Sequence, residues 1–137
     1  MKTYQTYSET ETKKLAARLA KKINKGVIAL TGELGAGKTT FVQGFAKGLK
    51  IKDKIISPTF VLIRQHKIPN SKKVLFHIDL YRLDGRINIK HLGIEEIINS
   101  DNIVLIEWAE KLKDLPAGTT NVVIEKKDTD QRIITLS

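Results

Sequence analysis

The chain has 137 residues and a mass of 15.4 kDa, one domain's worth, and its 41% apolar content excludes a disordered tail. The absence of cysteine excludes disulfide frameworks, thiolate nucleophiles and iron–sulfur clusters, and no apolar run approaches the ~20 residues that span a bilayer. The formal charge is +9, but its lysines stand in ones and twos, so it favours a phosphate-bearing partner without specifying one.

Met1 to Thr10 holds Tyr, Gln, Ser and Glu rather than an apolar signal core, so a cytoplasmic location is expected. Ser8 and Glu11 fit a capping box, and Leu15, Ala16, Leu19, Ala20 and Ile23 recur at helical spacing, which predicts a helix over 9–24. Gly26 ends it, and Val27 to Thr31 is an apolar run of strand length. Residues 32–37 are too glycine-rich for regular structure. Thr39 to Leu49 then reads as a helix, with Phe41, Val42, Phe45, Ala46 and Leu49 on one face despite Gly44 and Gly48.

After Pro58, residues 59–65 and 74–81 predict a hairpin around Pro69-Asn70-Ser71. Its second strand alternates Phe76, Ile78 and Leu80 against His77, Asp79 and Tyr81. Ile87 to Asn99 predicts one helix, and Ile103 to Ile106 a buried central strand ending at Glu107. Residues 121–126 and 132–136 close the chain as a hairpin. This order predicts an α/β fold, a mixed β-sheet flanked by helices in a single domain over residues 1–137.

Gly32-Glu33-Leu34-Gly35-Ala36-Gly37-Lys38-Thr39 matches G-x-x-x-x-G-K-[ST] in full, between a strand and a helix. Glycines at 32, 35 and 37 let backbone N–H groups turn inward around phosphates at a helix N-terminus. Lys38 is expected to reach the β- and γ-phosphates, and the Thr39 hydroxyl to ligate Mg²⁺. The fold class is therefore read as a P-loop NTPase. No N-K-x-D guanine motif is present, because Asn24-Lys25 runs into Gly26-Val27, so ATP is expected rather than GTP.

Such a site needs a carboxylate from a neighbouring strand. Asp79 and Glu107 both follow apolar strands; the cleaner run before Glu107 favours it for direct metal contact, with Asp79 acting through water or on the attacking water. Thr59, in Ser57-Pro58-Thr59, stands where switch-type hydrolases sense the γ-phosphate. His77 reads as a hydrogen-bonded structural group, since His66 and His91 lack zinc-ligand spacing to it. Arg82 is either a surface ion pair or a phosphate or partner contact, and Trp108 is core, partner anchor or adenine platform.

The P-loop with Thr40, Ser57-Pro58-Thr59-Phe60, His77-x-Asp79-x-Tyr81-Arg82, Leu92-Gly93 and Ile106-Glu107-Trp108 together resemble the TsaE family, also called YjeE. The resemblance spans about residues 8 to 136. It implies a small cytoplasmic Mg²⁺-dependent ATPase, weak alone, that acts with the proteins TsaD and TsaB. That set installs threonylcarbamoyl on the adenosine beside the tRNA anticodon, and tRNA would be met only through the complex. It further implies Thr39 and Glu107 as Mg²⁺ ligands with Asp79 beside the metal, and residues 35–40, including Ala36 and Thr40, as the phosphate binders. Asp79 would be needed for hydrolysis, and Glu9, Thr10 and Arg132 would flank the adenosine. The isolated chain is expected to be a monomer. Two other readings stand beside it, a P-loop small-molecule kinase and a non-enzymatic nucleic-acid binder.

Overall fold

The computed structural model describes residues 1–53 and 63–137. The Ser57-Pro58-Thr59-Phe60 segment, and with it Thr59, lies outside the described residues. Seven strands among the described residues form one mixed sheet: β1 (Lys2–Thr6), β2 (Gly26–Thr31), β3 (Ile63–Lys67), β4 (Val74–Asp79), β5 (Ile103–Glu107), β6 (Thr120–Lys126) and β7 (Arg132–Leu136). They run in the order β1-β7-β6-β2-β5-β4-β3. The central strands β6, β2, β5 and β4 pair in parallel, and β7, β1 and β3 add antiparallel edges.

The buried central strands alternate between two cores, as the period of two requires. Ile28, Leu30, Leu75, Ile103 and Leu105 pack under α1 (Glu9–Lys22) and α2 (Lys38–Gly48). Val27, Ala29, Phe76, Ile78, Val104 and Ile106 face α3 (Ile89–Leu92) and α4 (Glu95–Ile98). Among the described residues no helix is long and apolar enough to cross a membrane.

Ser8 caps α1, its Oγ accepting the Glu11 N–H at 3.1 Å, and the Glu11 carboxylate reaches back to the Tyr7 N–H at 3.1 Å. The expected box therefore closes one residue earlier than the usual form. The two glycines of α2 have a packing reason. A β-carbon at Gly44 or Gly48 would stand 2.5 Å from the backbone of Lys13 or Ala17 in α1, so only glycine permits this helix contact.

The structure adds one strand and corrects two expectations. β1 was unforeseen, because its polar Lys-Thr-Tyr-Gln-Thr sequence has no apolar alternation and is held as an edge by β7. The single helix over 87–99 is two four-residue helices, separated at Gly93, whose φ of 77° cannot continue a right-handed helix. The second hairpin strand ends at Asp79 rather than Tyr81, because the Asp79 side chain accepts the Tyr81 N–H at 2.9 Å and turns the chain.

Candidate functional site

In parallel sheets, ligands sit outside the carboxyl ends of the strands. The registers Leu30↔Glu107 and Asp79↔Glu107 bring the ends of β2, β5 and β4 level, so the loop after β2 meets both carboxylates. A cavity of about 490 Å³ opens there. Its floor is Gly35, Gly37, Lys38, Thr39 and Thr40, and its walls include Glu9, Thr12, Asp79, Glu107, Trp108 and Arg132. That volume lies in the usual range for small-ligand sites, roughly 300–1,000 Å³.

Gly37 caps α2 with φ 109° and, being glycine, offers no side-chain bond to the first N–H groups of the helix. Residues 38–40 line the cavity, which places that partial positive charge against it. The Lys38 ammonium is held inside the loop, donating to Gly32 O at 2.5 Å and Glu33 O at 2.9 Å. It also stands 4.1 Å from the centre of the Trp108 ring. Burial lowers the Lys38 pKa, an effect partly offset by Glu107, then Glu110 and Asp79.

Glu107 is 2% exposed, and both carboxylate oxygens are engaged. Oε1 accepts from Thr39 Oγ1 at 3.2 Å, and Oε2 stands 2.5 Å from His77 Nε2. Asp79 is buried beside it, with Oδ1 taken by the Tyr81 N–H. Burial raises the Asp79 pKa; the Tyr81 bond opposes this and Glu107 adds to it, while His77 and Lys38 pull it down.

The wall over Lys38 rests on a strained residue. Trp108 has φ 59°, a left-handed backbone that an aromatic residue adopts only when its surroundings impose it. The Tyr81 ring lies 5.3 Å from the indole, and Lys111 ties the following segment by donating to Tyr81 O and Leu83 O at 2.6 and 2.7 Å.

The family model "Threonylcarbamoyl adenosine biosynthesis protein TsaE" matches residues 6–134. This chain belongs to the TsaE family. A relative from Bacillus subtilis, named tRNA threonylcarbamoyladenosine biosynthesis protein TsaE, is 36% identical over 136 residues, covering 98% of this chain and 84% of its own. A like-named protein from Rickettsia conorii is 40% identical over 132 residues, covering 94% of this chain and 74% of its own. The crystal structure of Bacillus subtilis YdiB superposes with a TM-score of 0.79 at 34% identity, over 98% of this chain and 83% of that one.

Set against the TsaE resemblance, the structure gathers Glu9, Gly35, Gly37, Lys38, Thr39, Thr40, Asp79, Glu107 and Arg132 around one cavity. Gly32 and Ala36 stand just behind it: Gly32 O holds Lys38, and Ala36 is buried with its carbonyl on Arg132. Thr10 is exposed and does not line the cavity. Arg82, read as an ion pair or as a phosphate or partner contact, lines it too, and so do Ser8, Thr12, Leu34, Tyr81, Thr129 and Asp130, which were not singled out as ligand residues. For Thr12 a signal existed, a hydroxyl among the apolar positions of its helix; it is buried 2.7 Å from the Thr6 hydroxyl.

The donor set suits Mg²⁺. Thr39, Glu107 and Asp79 offer hard oxygens, and no cluster of three or more His, Cys, Asp or Glu able to hold a metal exists among the described residues. An all-protein cage is not what Mg²⁺ needs, since it is usually held by one or two carboxylates together with substrate phosphates and water.

Proposed function

We propose that this chain is a Mg²⁺-dependent ATPase, weak alone and stimulated by TsaD and TsaB, which supports the formation of threonylcarbamoyladenosine in tRNA. The single observation that carries it is the Thr39–Glu107 hydrogen bond at 3.2 Å beside the buried Lys38 ammonium. It joins a phosphate-binding cation to a hard-oxygen metal pair in one cavity. The names of the relatives support the pathway.

In this reading the N–H groups over 35–40 and the Lys38 ammonium bind the phosphates. Because Lys38 is desolvated, its charge acts at close range and is little screened. Thr39 and Glu107 would hold Mg²⁺, which supplies charge neutralisation on the phosphate oxygens when bound. Asp79 orients the attacking water and accepts its proton, a task that a raised carboxyl pKa favours. Glu9 and Arg132 flank the nucleoside, and the site works in the cytoplasm.

The test is calorimetry of ATP binding with and without Mg²⁺, followed by phosphate release alone and with TsaD and TsaB. Tight binding that needs Mg²⁺, and slow hydrolysis that rises with the partners, is expected. Phosphate appearing on an added metabolite would favour the kinase. No heat with ATP and Mg²⁺ would overturn the reading.

A further inference from the structure

We propose that His77 is a positioning residue that holds the Glu107 carboxylate in its metal-facing orientation, an inference that rests on the ATPase reading above. His77 lies opposite Leu105 in the β4–β5 register, so it shares a sheet face with Glu107 two residues further on. Its Nε2 stands 2.5 Å from Glu107 Oε2, while Thr39 Oγ1 donates to Oε1. Each carboxylate oxygen accepts along about two directions. One protein donor on each oxygen therefore fixes the plane of the group and leaves a second direction on each for a metal ion or its water.

Stability does not account for a histidine at this point. The residue is 0% exposed, and its Nδ1 has no hydrogen-bond partner among the described residues. Burying an unpaired polar atom is a net penalty. Leu75 and Leu105, on the same sheet face, are buried and apolar, so a leucine or phenylalanine would suit the position without that penalty. What an apolar side chain lacks is the donor to Glu107. Glu107 is also the acidic group acting most strongly on Lys38. Released from His77, its carboxylate keeps only the Thr39 donor and swings out of its metal-facing plane. Groups that orient metal ligands in this way matter to the metal almost as much as the ligands do.

The test compares wild type with His77→Phe, His77→Asn and His77→Gln. Gln carries an amide N–H near the place of Nε2, Asn falls one bond short of it, and Phe has none. ATP binding is measured by calorimetry across a Mg²⁺ titration and again in EDTA. For Phe and Asn, the Mg²⁺ needed for half-maximal tightening is expected to rise about 10–100-fold, with binding in EDTA unchanged. Gln is expected to restore most of the wild-type Mg²⁺ dependence. A purely structural histidine predicts equal losses with and without Mg²⁺, or no rescue by Gln; either result overturns the positioning role and leaves the ATPase reading standing, as does wild-type Mg²⁺ dependence in Phe and Asn. Wild-type protein whose ATP binding ignores Mg²⁺ overturns both. Should Phe fail to fold, the Asn–Gln pair decides by the same criteria.

Discussion

Arg132 donates from Nε to the Ala36 carbonyl at 2.6 Å, across 96 positions of sequence. Its Nη2 reaches Gly35 O at 3.4 Å, and its Nη1 is shared among the carbonyls of Asp128, Thr129 and Gln131. The guanidinium thus braces the phosphate loop against the β6–β7 turn. In a trans peptide the carbonyl and the following N–H point oppositely, so holding the Ala36 carbonyl on Arg132 turns the Gly37 N–H away from it.

Arg132→Ala is therefore expected to weaken ATP binding about tenfold, or about 1.4 kcal/mol. Arg132→Lys should recover little, because one compact ammonium cannot span five carbonyl oxygens as the planar fork does. Calorimetry on both variants checks this. Unchanged affinity in the alanine variant would mean the loop keeps its shape unaided.

Lys38→Ala is expected to abolish measurable ATP binding while leaving the fold intact. Among the described residues its ammonium donates to Gly32 and Glu33 within its own loop and beyond the loop meets the Trp108 ring, so its removal costs local contacts and not the sheet or the helices. The chain has one tryptophan, and Trp108 lies 4.1 Å from that ammonium, so the indole reports the site directly. Wild-type emission should change when ATP and Mg²⁺ are added, and the variant's should not. A variant that still responds at wild-type ATP concentrations contradicts the assignment.

Asp79→Asn separates catalysis from stability. Its pKa is raised in the folded chain above the ordinary 3.8. The native state then holds a proton that the unfolded chain has lost, so stability from this group is full below 3.8 and falls as pH rises through the folded value. Without nucleotide or Mg²⁺, the Asn variant should have the higher Tm at pH 7, and the gap should close as pH falls toward 4. Hydrolysis should drop by about 10²–10⁴-fold, since the carboxylate proposed to orient the water and take its proton is gone. Scanning calorimetry across pH checks the first claim and single-turnover phosphate release the second.

What could be read in advance depended on how local each signal was. The 32–39 motif carries its own geometry, so the strand, loop and helix around it were evident, as was the alternation that sets His77 and Asp79 opposite Phe76 and Ile78. β1 was not, because pairing with β7 rather than its own composition makes it a strand. The α3–α4 break hinged on one backbone angle at Gly93 inside a run of otherwise helical spacing. Arg132 could be suspected of lying at the site, but not of bracing Ala36, since nothing in sequence encodes a contact across 96 positions. The His77–Glu107 pair was hidden for the same reason: it depends on the parallel register of β4 and β5.

Gly44 and Gly48 set helix propensity against packing. In an exposed helix, Gly→Ala stabilises by about 1 kcal/mol. Here the added β-carbon would stand 2.5 Å from Lys13 or Ala17 backbone atoms, which cannot swing aside as a side-chain tip would. Overpacking of this kind costs about 1–3 kcal/mol, so each alanine variant is expected to lower Tm rather than raise it. The displacement has a functional consequence as well. Pushing α1 off α2 carries Ser8, Glu9 and Thr12 away from the cavity they line, so Gly44→Ala, nearer that end, should weaken ATP binding more than Gly48→Ala does. Thermal unfolding and calorimetry on the two variants, measured side by side, test both parts. A rise in Tm for either would mean that the helices separate without penalty and that propensity, not contact, governs this pair.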